Sequence, residues 1–168
     1  VLNVPERYLQ EREVLGFDRV DYGVGGIIPI RPTDLADGQI GYSVTPEGAT
    51  LVSDSDGEWR HDWFVIGNET ACGNPIFLSI KLPYPVFTAM NGQSSWNPKL
   101  VAPSLDSFWK CLQIFAEFAD GRNNPVELRA NLPTDTETSG YLGDIHRLCS
   151  GNEDAIDFWV VQAEIGML

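Results

Sequence analysis

Between Gly23 and Pro103 the apolar residues come in short bursts separated by Gly, Asn, Asp and Pro, and many bursts alternate with polar positions. That period of two marks half-buried strands, and the separators mark turns. The bursts are "GIIPI" (26–30), "QIGYSV" (39–44), "ATLVS" (49–53), "DWFVI" (62–66), "PIFLSI" (75–80), "PVFTAM" (85–90) and "KLVAP" (99–103). Spaced at hairpin distance, they predict about six or seven strands in a largely antiparallel sheet.

The period then changes. Leu105, Phe108, Trp109, Leu112, Phe115, Ala116 and Ala119 recur at helical spacing, with Ser104 placed to cap the start and Gly121 placed to end it. Asp106, Lys110, Gln113 and Glu117 occupy the other face, so the helix is expected to pack on the sheet. The following stretch, "DGRNNPVELRANLPTDTETSG", has the composition of a surface loop holding one helical turn at Val126 to Ala130. A helix near Tyr141 to Cys149 follows, then one capped by Asn152 that runs to about Glu164. At the other end of the chain, "PERYLQEREVLGF" predicts a short helix closed by Gly16. The fold class is therefore α+β, a central mostly antiparallel or mixed sheet of about six strands flanked by helices. A length of 168 residues fits one domain with a real core.

Charge alters the functional picture more than composition does. With 43% apolar and 21% charged residues the chain is ordinary for a globular protein, but 11 basic against 24 acidic residues leave a net charge of −13. The acids cluster. Residues 34–75 carry eight, with Arg60 as the one base, and residues 134–168 carry seven against Arg147. Such a surface is repelled by phosphate backbones and anionic lipid, which argues against nucleic-acid or membrane partners; it is suited to solubility or to steering towards a basic protein. The absence of a long apolar run and of a basic-plus-apolar leader in this stretch leads to the expectation of a cytoplasmic protein.

Candidate catalytic sets fail on spacing. Cys72, Cys111 and Cys149 are far apart and form no C-x-x-C pair, and His61 and His146 form no metal-binding pair, so neither a metal nor another cofactor is expected. "SDSDG" (53–57) lacks the rest of a calcium loop, and "GVGG" (23–26) lacks the lysine of a phosphate loop. Two enzymatic readings survive in weak form: a hydrolase using Cys72 in its glycine turn, or carboxylates such as Glu58 and Asp62 beside Trp59 and Trp63. Trp109 and Trp159 fall on apolar helix faces. Trp59, Trp63 and Trp96 sit beside turns, as strand-end plugs or as binding anchors.

The stretches "WFVIGNETACGNPIFLSI" and "YPVFTAMNGQSSWNPKLVAPSLDSFWKCL" resemble the SUKH superfamily, in particular its fungal cell-wall assembly regulator (Smi/Knr) type. The shared order is Ile66-Gly67, a polar turn at Gly73-Asn74, the strand Ile76 to Ile80, the strand Val86 to Met90, the Trp96 turn, and a helix with Ser104, Leu105 and Phe108. The likeness covers about residues 62–115 of a single 1–168 domain, with 121–168 as a helical extension. Asn74 stands where the family usually has Asp. The resemblance implies a non-enzymatic binding module, an immunity protein that neutralises a toxin of a polymorphic or contact-dependent system. A regulatory scaffold is the alternative it leaves open. The cognate toxin would be basic, a nuclease for example. The loops carrying Asp54, Asp56, Glu58, Trp59, Glu69, Asn74, Asn91 and Trp96 are the expected partner-binding surface.

Overall fold

Six strands pair in chain order, every pair antiparallel, in the computed structural model, which describes residues 5–168. The first four residues of the expected 1–168 domain lie outside the described residues. The strands are β1 (Val20–Tyr22), β2 (Gly25–Pro29), β3 (Trp63–Glu69), β4 (Pro75–Ser79), β5 (Val86–Thr88) and β6 (Lys99–Ala102). The helices are α1 (Glu6–Glu13), α2 (Leu105–Ala119), α3 (Pro125–Ala130), α4 (Asp135–Leu148) and α5 (Glu153–Ile165). An α+β fold is thus what the chain adopts.

Alternation sends the two faces of this sheet to different cores. Ile27, Phe64, Ile66, Ile76, Leu78 and Val86 meet α1, α2, α4 and α5 in the larger core, through residues such as Tyr8, Phe108, Phe115, Ile145 and Trp159. Val65, Phe77 and Ala89 point the other way and build a smaller core around Trp59. Among the described residues no α-helix covers that second face; the long connection from Ile30 to Asp62, with short 3-10 turns at Pro32–Asp34 and Asp37–Gln39, folds across it instead. Gly67 allows β2 and β3 to approach, because a Cβ there would lie 2.7 Å from the Ile28 carbonyl oxygen.

Local chemistry explains the helix boundaries. Ser104 Oγ accepts the Ser107 N–H at 3.0 Å to start α2, and Asn152 Oδ1 accepts the Ala155 N–H at 3.0 Å to start α5. At α4, Thr134 and Glu137 make a reciprocal capping box: Glu137 Oε2 accepts the Thr134 N–H at 2.8 Å and Thr134 Oγ1 accepts the Glu137 N–H at 3.2 Å. One backbone group is taken up at or beside each edge of the sheet. Trp159 Nε1 donates to the Val101 carbonyl of β6 at 3.0 Å, and beyond β1 the Gly23 N–H donates to the Arg122 carbonyl at 2.9 Å. An added strand from a partner finds no free template at those positions.

Three expectations need correction. "QIGYSV" (39–44) and "ATLVS" (49–53) are not strands: they form turns joined by isolated bridges at Ile40–Val44 and Val44–Thr50. The reason lies in Gln39, whose fully buried amide donates to the Val65 carbonyl and accepts the Val65 N–H, each at 2.9 Å, doing with a side chain what a strand would do with its backbone. The "TDTETSG" end of the expected loop is the first half of α4, because the capping box outweighs its Thr, Ser and Gly content. β1, with only three residues and Asp21 in the middle, lay hidden in a charged stretch.

Glu137 makes the fold acid-sensitive. The Thr134 N–H and then the Arg122 guanidinium hold its carboxyl down at about 2. A carboxyl lower in the folded than in the unfolded chain stabilises the fold above the ordinary glutamate range, and that contribution drains away as pH falls from about 4 towards 2. Glu137→Gln is expected to flatten this part of the stability profile, as measured by thermal unfolding across about pH 5 to 2.

Candidate binding face

The face of the sheet without α-helices is paved with aromatic rings. Trp59 sits at its centre, 1% exposed, with Phe77 beneath it at 4.7 Å between ring centroids. Trp63, Trp96 and Tyr42 surround it at 5.4, 5.2 and 5.1 Å. These three are half-buried, as is Phe87, which stacks on Phe77 at 5.9 Å. Period two explains most of the set: Trp63 and Val65 on β3, Phe77 on β4 and Phe87 on β5 all share one parity. Tyr42 arrives from the covering connection and could not be placed by periodicity.

Beside the rings stands the acidic turn. Asp54, Asp56 and Glu58 are all exposed. Their turn is fastened to the β5–β6 loop by the Trp96 N–H, which donates to the Gly57 carbonyl at 2.7 Å. Gly57 has φ +83°, and a Cβ on it would fall 2.7 Å from the Ser95 Cβ, so both the turn and the close contact require glycine. His61 approaches the same turn, its Nε2 3.9 Å from Asp54 Oδ1. Carboxylates and half-buried indole therefore occupy one patch, held together through the backbone.

A second cluster gathers at the far end of β3. Asn74 Oδ1 accepts the Asn91 N–H at 2.9 Å, and Asn91 Nδ2 donates to the Gly73 carbonyl, zipping the β3–β4 turn to the β5–β6 loop. Glu69, expected on the partner surface, is a correction: it is 3% exposed, and its carboxylate accepts the Cys72 N–H at 3.0 Å and the Asn74 N–H at 2.9 Å. It is spent on shaping the turn. Trp59 is the other correction, since its ring forms the floor of the face and leaves little for a partner to touch. Asp54, Asp56, Glu58, Asn91 and, in part, Trp96 and Asn74 remain available at the surface.

The groups considered for catalysis are arranged differently. Cys72 is exposed in the β3–β4 turn, whereas Cys111 and Cys149 are buried. His61 faces Asp54, and His146 is exposed on α4. Burial works to raise the Asp62 carboxyl, but hydrogen bonds from Ser79 and Arg60 and the charge of Lys81 outweigh it and leave the group below its ordinary range. A carboxylate held ionised in this way is poorly suited to act as a general acid. Among the described residues there is no group of three or more His, Cys, Asp or Glu side chains placed to hold a metal ion. Nor, among those residues, is any helix long and apolar enough to cross a membrane.

Comparison with known protein families, with curated proteins and with solved structures found no match. The class defined by this structure is an α+β meander with α-helices on one face and an acid-edged aromatic face on the other.

Proposed function

We propose that the protein is a partner-binding module of the SUKH kind, acting as an immunity protein against a basic toxin domain. The observation that carries this reading is the acidic turn locked to Trp96 beside the aromatic face. Aromatic anchors concentrate interface energy, and unpaired carboxylates around them speed encounter with a cationic surface. Support also comes from the placement of the SUKH-like residues: the likeness falls on β3 to β6 and the first part of α2, and within it β3, β4, β5 and the Trp96 loop contribute rings to this face. Recognition would run through side chains of the face and its loops.

The test is co-expression with the products of neighbouring reading frames. The expected outcome is a stable complex with one basic, growth-inhibiting protein, and restored growth when both are made. A complex that forms equally well with Asp54, Asp56 and Glu58 all changed to Lys, or growth inhibition that the protein fails to relieve in every pairing, would count against the reading.

A further inference from the structure

Away from the aromatic face, large apolar side chains gather at the surface. Among the described residues, half of the large apolar residues that are more than half exposed, namely Val24, Leu132, Met167 and Leu168, line a single groove shared by the β1–β2 turn, α3 and the residues after α5. Single exposed apolar residues are ordinary, whereas a contiguous group marks an interaction surface. Leu132 and Met167 also line a second groove, with Val160 of α5. They therefore form a ridge with a groove on either side, and the two residues are 61% and 55% exposed.

Charge decides what such a ridge fits. In a chain of net charge −13, the two grooves together are lined by one base and one acid, Arg129 in the first and Glu164 in the second. Both are exposed, and neither belongs to a salt bridge among the described residues. A strongly basic or strongly acidic partner finds no opposing field on this neutral surface, but a second copy of the chain finds its own complement. We propose that the chain forms a two-fold dimer through this surface, with Leu132 and Met167 at its centre. An axis through the ridge sets each Leu132–Met167 pair against the same pair of the other copy and brings each Arg129 opposite the other copy's Glu164, the reciprocal contact that a two-fold interface requires. Eight of the acids lie in residues 34–75, outside both grooves, which limits repulsion between the copies. The rings of the aromatic face line neither groove, so the dimer stands apart from the proposed partner binding.

Sedimentation velocity of the full chain from about 1 to 200 µM is expected to show a concentration-dependent shift from monomer to dimer. Leu132→Glu should weaken the dimer about a hundredfold, and Arg129→Glu and Glu164→Arg about tenfold each. Circular dichroism should be unchanged in all three, because each residue is exposed. The two charge variants, mixed, should regain wild-type affinity as a heterodimer, since both cross-pairs are then of opposite sign. The double variant carrying both changes in one chain should regain it as a homodimer. A chain that stays monomeric throughout, a dimer that Leu132→Glu leaves intact, or charge variants that neither mixing nor combination rescues would overturn the proposal.

Discussion

Trp59→Ala is expected to destabilise the protein by about 4 kcal/mol, read as a lowered denaturant midpoint with an unchanged slope. Four rings pack within 5.4 Å of the indole, and the side chain is 1% exposed, so truncation removes the centre of the smaller core and leaves a void the sheet cannot close. The loss should be confined to packing. Because the indole N–H is buried without a hydrogen-bond partner, Trp59→Phe forfeits no bond and should cost far less, about 1–2 kcal/mol. A loss below about 1 kcal/mol in the alanine variant would mean that the ring is not the floor of the face.

The second large effect is expected at Arg122, which is 3% exposed and joins three elements. Its Nη1 donates to the Phe118 carbonyl at 2.7 Å in the last turn of α2, its Nε to the Asn131 carbonyl at 2.7 Å after α3, and its Nη2 to Glu137 at 2.9 Å in α4. Arg122→Ala strands two carbonyls and the capping glutamate, at a cost of about 3 kcal/mol. Lysine offers a single point of charge where the guanidinium offers a fork, so Arg122→Lys should recover less than half of that. Amide exchange would locate the damage: protection should fall first across α3 and the start of α4. Uniform loss over the whole sheet would contradict this account of the residue.

How much of this was legible in the chain depends on whether the informative residues were close in sequence. β2 to β6, α2 and α5 follow from alternation, helical spacing and the Ser104 and Asn152 caps, all of which act over a few residues. The same alternation misled at Ile40, Tyr42 and Val44: Tyr42 lies across a sheet face and Ile40 is exposed, while the buried Gln39 side chain took over the hydrogen bonds to β3. For α4 the Thr134 to Glu137 spacing was present, but composition masked it. The proximity of the acidic turn to Trp96 rests on a backbone bond between residues 57 and 96, which no local pattern encodes; only the resemblance brought the two together. Glu69 looked like surface charge because nothing in the sequence shows that its carboxylate closes its own turn.

The central claim is that the acidic turn beside Trp96 steers a basic protein partner, and association kinetics test it most directly. The rate constant for binding the co-purified partner should be measured against salt concentration, for wild type and for the variant with Asp54, Asp56 and Glu58 changed to Lys. The variant is expected to associate about ten- to a hundredfold more slowly at low salt, with the gap narrowing as screening shortens the reach of the charges. Dissociation should change much less. Equal association rates for the two proteins at low salt would contradict the account.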